Sequence, residues 1–361
     1  MAAAAKFVVV STEELFSFVV RCIEKAGGKV SHAEALAELL VAADKRGHFS
    51  HGLNRLDMYV RDLESKITSG TAEPEIVNET PATALVEGNN ILGPVVGKFC
   101  IDLAIKKAKE VGVGWVCASG SNHFGIAGWY SMRASNQGLL GMAFTNTSPL
   151  LVPTRAKKAA LGTNPISVAA PAQKDDSFVL DMATTTVALG KVEINQRKDL
   201  SIPEGWGVDS NGKVTKNPAD VLNNGGLLPL GGVEETGGYK GYGLALMTEI
   251  FCGVLAGANS GANIRSWKNT TSPANLGQCF VALDPSVFAP GFKGRMSDLL
   301  GHLRNMDPSE EGNPVLVAGD PERQHEQKCD KLGGIPYHPN QITFAERLAD
   351  QLKIAPMKPK A

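Results

Sequence analysis

The feature that most constrains the fold is a change of pattern near residue 72 of the 361-residue chain. Before this point, apolar residues recur at helical spacing. Ser11-Thr-Glu-Glu14 and Ser31-His-Ala-Glu34 have the form of capping boxes, and a third helix is expected to begin at Ser50. Residues 1–72 are therefore predicted to form a helical N-terminal unit.

Beyond residue 72, short apolar runs of strand length alternate with longer helical patterns. Strands are predicted over 83–86, 113–118, 139–145, 166–170, 178–180 and 278–283. Helices are predicted over 95–111, 126–137, 239–255 and 343–352. The expected class is α/β (α+β), with residues 73–330 as the larger domain and a C-terminal helix, 340–354, joining the N-terminal unit.

The usual nucleotide-binding fingerprints are absent. No Gly-x-Gly-x-x-Gly occurs. The partial match that begins at Gly112-Val-Gly114 has Cys117 where the third glycine would stand. The stretch from Gly93 to Lys98 is one residue too short for a P-loop. A dinucleotide would therefore have to be bound without a conventional Rossmann motif.

Composition excludes several classes of partner. Lys+Arg total 36 and Asp+Glu 37, a formal net charge of −1, which argues against nucleic acid and against an anionic membrane surface. No long apolar run and no signal-peptide pattern occurs, so neither a membrane span nor secretion is expected. The six cysteines lack Cys-x-x-Cys spacing, which predicts reduced thiols in a cytoplasmic protein and no metal site.

Two histidines, a serine and two arginines stand close together between Asp44 and Arg55. If Ser50 is a helix N-cap, His51 and Arg55 lie four residues apart on one helical face. An arginine can bind a carboxylate with two hydrogen bonds, and a histidine can exchange a proton with the oxygen on the next carbon. These residues suit redox chemistry on a 2-hydroxy or 2-oxo acid. The alternative is an ordinary helix start, with Ser50 as the cap and Arg55 in solvent.

Two later segments place polar groups at predicted strand ends. Ser119 to Gly125 follows a strand, where α/β proteins commonly bind ligands, and its backbone N–H groups suit a pyrophosphate or a carboxamide. The histidine in this turn could equally be structural. Thr163 offers a neutral hydrogen-bonding group, and Asp181 can hold a hydroxyl, orient an imidazolium or cap a helix.

Two further segments complete the candidates. The glycine-rich turn from Gly231 to Gly243 carries Lys240 ahead of an apolar helix, and it suits either phosphate binding or close helix packing. The segment 317–323 is expected to be a surface loop.

In their order along the chain, these segments resemble the malate/L-lactate dehydrogenase-like family. This type-2, non-Rossmann group of oxidoreductases has relatives such as ureidoglycolate dehydrogenase, diketogulonate reductase, sulfolactate dehydrogenase and piperideine-carboxylate reductase. The densest matches are Arg46-Gly-His-Phe-Ser-His-Gly, Ser121-Asn-His-Phe-Gly, Gly162-Thr-Asn-Pro, Asp181-Met-Ala-Thr and Gly238-Tyr-Lys-Gly-Tyr-Gly. The resemblance covers about residues 13–347 and implies a dimer whose cofactor-binding domain, 73–330, has a mixed, mainly antiparallel sheet.

The resemblance also implies roles for individual residues. His51 would be the proton donor and acceptor with Ser50 as its relay, and His123 is a second candidate. Arg55 and Thr163 would bind the substrate. The implied cofactor contacts are Asn122, His123, Phe124, Gly125, Asp181, Met182, Ala183, Lys240, Gly319 and Arg323. The segment around Gly319 departs from the family's usual Pro-Gly-Glu form.

The expected function is therefore that of an NAD(P)-dependent dehydrogenase. It would transfer a hydride between NAD, or NADP, and a small 2-hydroxy or 2-oxo acid, with malate first and lactate or sulfolactate next. A homodimer joined near the N-terminal helices is expected. One alternative is an imine or diketo-sugar reductase of the same family; the imine reductase is disfavoured because Lys191 stands where an amine-handling relative has a relay Asp. Another alternative is a non-catalytic metabolite-binding protein.

Overall fold

A mixed sheet of seven strands forms the centre of the structure, a computed structural model that describes residues 7–266 and 271–360. Strands and helices are numbered by their order in the chain. Across the sheet the strands are β2 (Glu75–Glu79), β3 (Thr83–Glu87), β4 (Val113–Ser121), β11 (Leu276–Leu283), β5 (Leu140–Thr145), β6 (Ile166–Pro171) and β7 (Ser177–Met182). Only β3 and β4 pair in parallel; the other neighbours in this sheet are antiparallel. The predicted α/β class with a mainly antiparallel, non-Rossmann sheet is confirmed.

Helices cover both faces of this sheet. On one face, α4 (Gly93–Val111) and α5 (Ala127–Ser135) pack their apolar sides on β4 and β11. On the other face lies α8 (Gly238–Glu249), which continues into a π-helical segment, Ile250–Val254. The helices predicted in these three regions are therefore present.

The N-terminal helices and the C-terminal segment share one apolar core. The helices α1 (Thr12–Lys25), α2 (Val30–Lys45) and α3 (Leu56–Glu64) contribute Leu15, Leu36 and Leu56 to this core. The helix α11 (Pro339–Leu352) adds Leu348, and the short strands β1 (Val8–Val10) and β12 (Ile335–Tyr337) pair antiparallel. The division of the chain into domains at residue 72 stays a prediction.

The predicted helix starts are partly wrong. Ser11 caps α1, since its hydroxyl accepts a hydrogen bond from Glu14 N. Helix α2 instead begins at Val30, one residue before the predicted cap Ser31, and has no side-chain cap. Ser50 caps no helix: a 3-10 turn, Leu53–Arg55, precedes α3, which begins at Leu56. His51 and Arg55 are consequently joined by a tight turn and do not share a regular helical face.

The predicted surface loop at 317–323 is also wrong, because this segment leads directly into a helix. Gly319 has φ +101°, a left-handed conformation that favours glycine, and α10 (Asp320–Leu332) follows it with a proline in its first turn. The sequence analysis also did not predict the strands β1, β2 and β12, the helices α6 (Leu189–Arg197), α7 (Pro218–Leu222) and α9 (Phe292–Arg304), or a small sheet of β8 (Gly207–Val208), β9 (Val214–Thr215) and β10 (Gly226–Leu227). Within residues 7–266 and 271–360, no helix is long and apolar enough to cross a membrane.

Candidate active site

A cavity of 330 Å³ lies where the N-terminal helices meet the large sheet. Its volume is in the usual range for sites that bind small molecules. Most of the predicted site residues line it, namely Ser50, His51, Arg55, Asn122, His123, Phe124, Gly125, Thr163, Asp181, Met182 and Ala183. Segments that are far apart in the sequence therefore meet at one site.

Three predicted cofactor residues lie outside this cavity. Lys240 is in the first turn of α8, where its ammonium group lies 5.8 Å from the ring centre of Tyr239. Gly319 packs against Val179, and Arg323 pairs with Asp320 and donates to the Ser177 carbonyl oxygen at 3.0 Å. The cofactor roles of Lys240, Gly319 and Arg323 stay predictions.

The turn that carries the first histidine is held by hydrogen bonds. Ser50 Oγ lies 2.8 Å from His51 Nδ1, and Arg55 Nε donates to the Ser50 carbonyl oxygen at 2.8 Å. These bonds keep His51 and Arg55 on the same side of the turn. An imidazole and a guanidinium in this arrangement can hold a proton and a carboxylate next to each other.

The buried side chain of Asp44, which the sequence analysis missed, holds the turn that carries His51 in place. Asp44 accepts a hydrogen bond from Leu53 N at 2.8 Å and one from Tyr337 Oη at 2.6 Å. Burial raises the pKa of Asp44 to about 7. A side chain at Gly52 would collide with the Asp44 carboxyl group, so only glycine lets the turn close here. The sequence signal that could have revealed Asp44 was its position on the apolar face of a predicted helix, where a carboxylate is unexpected.

The second histidine is bonded differently from the first. His123 Nδ1 lies 2.7 Å from Tyr59 Oη and also accepts a weaker hydrogen bond, at 3.4 Å, from Gly125 N. Since a backbone N–H can only donate, Nδ1 is an acceptor and the ring hydrogen of neutral His123 is on Nε2. Burial, and then electrostatic interactions with His51 and Arg55, hold the pKa of His123 well below its usual range.

The two histidine rings stack, with centres 5.8 Å apart and planes inclined by 20°. Burial lowers the pKa of His51 to about 4, and electrostatic interactions with Arg55 and His48 act in the same direction. Both imidazoles are thus neutral near pH 7. A carboxylate bound at Arg55 would raise the pKa of His51, because an anion nearby favours the imidazolium form.

The opposite wall combines the ends of β4 and β7. Asn122 Nδ2 donates to Asn90 Oδ1 at 3.0 Å and to the Ile91 carbonyl oxygen at 2.8 Å, so this amide fixes the turn that carries His123. Asp181 Oδ2 accepts from Gly128 N at 2.7 Å, and this carboxylate therefore caps the start of α5. Burial raises the pKa of Asp181, and a favourable interaction with His48 opposes that shift.

In the part of the chain that the structure describes, no three His, Cys, Asp or Glu side chains are placed to hold a metal ion. Two neutral imidazoles beside an arginine, in a fold without a Rossmann motif, can exchange a proton with a small acid and hold its carboxylate, which is what an oxidoreductase for such acids requires.

Comparison with known proteins identifies the family. Residues 10–344 match the malate/L-lactate dehydrogenase family. The chain is 40% identical over 317 residues to a malate dehydrogenase of Pyrococcus abyssi, with 87% of each chain covered. It is 39% identical over 322 residues to an L-sulfolactate dehydrogenase of Methanocaldococcus jannaschii, with 89% of this chain and 91% of the relative covered.

Two further comparisons agree with the first. The chain is 33% identical over 313 residues to an NAD(+) ureidoglycolate dehydrogenase of Escherichia coli O157:H7, with 86% of this chain and 87% of the relative covered. The solved structure of a malate dehydrogenase from Pyrococcus horikoshii superposes with a TM-score of 0.90 at 35% identity, and 98% of this chain and 99% of that chain are covered. The chain therefore belongs to the malate/L-lactate dehydrogenase family, as its motifs indicate. It is a dehydrogenase that acts on small hydroxy acids, and its family implies a nicotinamide cofactor.

Proposed function

We propose that the protein interconverts malate and oxaloacetate with NAD as its cofactor, and that sulfolactate and lactate are its next substrates. The observation that carries this proposal is that Arg55, His51 and His123 line the same cavity, with the two imidazole rings stacked. The names of the relatives, malate and L-sulfolactate dehydrogenase, support the order of the substrates.

The substrate would be oriented by an arginine and a threonine. Arg55, already fixed by its bond to Ser50, binds the C1 carboxylate through its planar donors. Thr163 also lines the cavity, and its backbone N–H donates to Thr147 Oγ1 at 2.9 Å. Orientation of this kind can lower the activation free energy by about 7 kcal/mol or more in favourable cases.

The two histidines would divide the work of handling the proton. During oxidation, His51 takes the hydroxyl proton of the substrate, and during reduction it returns a proton to the carbonyl oxygen. The Ser50 hydroxyl contacts the other ring nitrogen of His51, Nδ1. The Nε2–H of His123 donates a hydrogen bond to the same oxygen. A bound nicotinamide supplies or accepts the hydride at C2 of the substrate.

The cofactor would lie against the walls formed by Phe124, Gly125, Met182 and Ala183, which line the cavity beside the histidines. Backbone groups and apolar surface on these walls suit a nicotinamide ring and its carboxamide. We propose NAD as the cofactor ahead of NADP because one relative, a ureidoglycolate dehydrogenase, is named for NAD(+).

The protein would work in the cytoplasm as a homodimer. The thiols of Cys22, Cys100, Cys117, Cys252, Cys279 and Cys329 are all free and buried, which fits a reducing compartment. A homodimer agrees with the symmetry common among soluble enzymes.

The test is a matrix of initial rates with NADH and NADPH against oxaloacetate, sulfopyruvate, pyruvate and a cyclic imino acid. We expect the highest kcat/KM with NADH and oxaloacetate. Cofactor and acid that bind without turnover would instead favour a metabolite-binding protein. Turnover of the imine alone would make the protein an imine reductase.

A further inference from the structure

The turn formed by residues 48–55, which we call the His51 turn, has hydrogen bonds of two kinds. Within the turn, His51 N donates to the His48 carbonyl oxygen at 2.8 Å, and Arg55 N donates to the Gly52 carbonyl oxygen at 2.9 Å. Such local bonds give a turn its shape. Contacts with other elements of the fold determine where the turn lies relative to the cavity.

A tyrosine near the C-terminus provides one of these outside contacts through Asp44. Asp44 Oδ2 accepts from Leu53 N, inside the turn, at 2.8 Å and from Tyr337 Oη, on β12, at 2.6 Å. The second distance is that of a strong O–H···O bond to a carboxylate. Both side chains are fully buried, and a hydrogen bond is stronger in such surroundings than in water. Burial also holds the pKa of Tyr337 well above its usual range, so its hydroxyl keeps the proton that it donates.

The ring of Tyr337 makes a second contact with the turn. It meets the ring of Phe49 edge to face, with centres 5.8 Å apart and planes inclined by 71°. Phe49 directly precedes Ser50 and His51 in the chain. Tyr337 therefore acts on the turn at two points, at Phe49 before His51 and, through Asp44, at Leu53 after it.

Tyr337 is itself firmly placed. It pairs with Val8 in the two-stranded sheet of β1 and β12, and its side chain belongs to the apolar core of the N-terminal helices. Asp44 Oδ1 is buried and has no hydrogen bond within the described residues. The hydrogen bonds that orient this carboxyl group are thus those on Oδ2, and removal of the Tyr337 hydroxyl would take away one of the two.

We propose that Tyr337 is a positioning residue for the reaction: through Asp44 it fixes the place of the His51 turn, and with it the position of the imidazole of His51 in the cavity. The proposal rests on the proposed function, because the proton transfer that it supports is the one assigned to His51. Tyr337 touches neither substrate nor cofactor in this account. Its effect on the rate comes from the geometry of the turn.

The first experiment is Tyr337→Phe, which keeps the ring on Phe49 and removes only the hydroxyl. We expect kcat/KM for oxaloacetate to fall about 10- to 100-fold, because a misplacement of about 1 Å at a reacting group can cost about 100-fold. The affinity for NADH, measured by fluorescence titration, should stay that of the wild type. A variant that had merely lost structure would lose both.

Variants of Asp44 test whether the hydroxyl acts through this carboxyl group. Asp44→Asn keeps the shape and an acceptor oxygen, so it should retain more activity than Asp44→Leu, which keeps no acceptor. Tyr337→Phe should add little to the loss already caused by Asp44→Leu, since residues that act through one contact are not additive. Independent, additive losses would refute the route through Asp44. If Asp44→Leu does not fold, the comparison of Tyr337→Phe with Asp44→Asn and the spectra described below decide.

The matched control is Ser11→Ala. Ser11 caps α1, so this variant weakens the same helical core without touching the turn. Its thermal stability should fall while its kcat/KM stays that of the wild type. An equal loss of kcat/KM in Ser11→Ala and Tyr337→Phe would show that general stability is responsible, and it would overturn the positioning role.

A spectroscopic measurement separates this proposal from the proposed function, because it needs neither substrate nor turnover. In the ligand-free protein, the Cε1–H resonance of His51 should shift in Tyr337→Phe, whereas that of the exposed His302 on α9 should not. A shift confined to the site supports the positioning role even if no 2-oxo acid is reduced. An unchanged His51 resonance in folded Tyr337→Phe overturns the proposal, whatever the rates.

Discussion

At the scale of single residues, the two stacked histidines differ in what their inner ring nitrogens contact. His51 faces a serine hydroxyl, which can donate or accept a hydrogen bond as the proton moves. His123 accepts from Tyr59 and Gly125, which fixes one tautomer. The first environment suits a group that gains and loses a proton. The second suits a neutral hydrogen-bond donor to the substrate oxygen.

His51→Ala should therefore lower kcat by about 10²–10⁴-fold, the usual contribution of general acid–base catalysis, while NADH still binds. The pH profile supplies a second measurement. In the free enzyme the pKa of His51 is lowered from 6.5 to about 4, and malate oxidation needs the neutral imidazole. The wild-type kcat/KM for oxidation should then fall only as the pH drops towards 4, and the variant should lack this acid limb.

The matched variant is His123→Ala, which should reduce kcat less than His51→Ala because it removes a hydrogen-bond donor but leaves the base. NADH fluorescence titration checks that both variants bind the cofactor. If His123→Ala abolishes activity and His51→Ala is mild, the roles of the two histidines are reversed.

At the scale of elements, one buried carboxylate joins several segments that line the cavity. Glu249, 3% exposed at the end of α8, accepts from Asn146 Nδ2, Asn164 Nδ2 and Gly261 N at 2.8–2.9 Å. Asn164 is adjacent to Thr163, and Gly261 is in the segment that carries Arg265. The helix changes to π-helical geometry directly after Glu249, a distortion that is frequent near functional sites.

Glu249→Leu should destabilise the fold by more than about 3 kcal/mol, because it leaves three buried donors without an acceptor. Glu249→Gln keeps the shape and one oxygen, and it should cost less. Urea unfolding measures both variants, and KM for oxaloacetate in Glu249→Gln reports on the tethered site segments. Exposed Glu235 in the turn before α8 provides the matched control, Glu235→Gln, which should change neither quantity. Wild-type stability in Glu249→Leu would refute this account.

The contrast between local and distant contacts explains what the sequence could predict. The predicted strands are apolar runs, and the cap at Ser11 depends on a residue three positions away. Strand β2 was missed because all five of its residues are exposed, so it has no apolar alternation. The supports of the site were missed for another reason: Tyr337 meets Asp44, and Arg265 meets Asp62, across hundreds of residues. No local motif encodes such contacts, whereas the family motifs marked the lining residues around the two histidines, Thr163 and Asp181.

At the scale of the whole molecule, the site forms between the helical N-terminal unit and the large sheet. Ser50 to Arg55 comes from the first, and the turns at Asn122, Thr163 and Asp181 come from the second. Neither part alone encloses the cavity, so activity depends on how the two are held together. Assembly with a second copy would add to that restraint.

Two surfaces of the chain are candidates for the interface of the proposed homodimer. The sequence favours the N-terminal helices, where Val30 is 52% exposed. The structure also has an exposed apolar stripe along α8 and its π-helical extension, where Leu246, Ile250 and Val254 are 41%, 47% and 64% exposed and follow one another at intervals of four residues. Contiguous exposed apolar surface of this kind commonly marks an interaction site.

We expect the α8 stripe to form the interface, because it offers several apolar side chains on one line whereas Val30 stands as a single exposed valine on its helix. Ile250→Glu should then shift the protein from dimer to monomer in sedimentation across a dilution series, since a charge would be buried at the contact. Val30→Glu is the matched control and should leave the dimer intact. Dissociation by Val30→Glu alone would move the interface to the N-terminal helices, and a wild type that stays monomeric and fully active at all concentrations would end the dimer proposal.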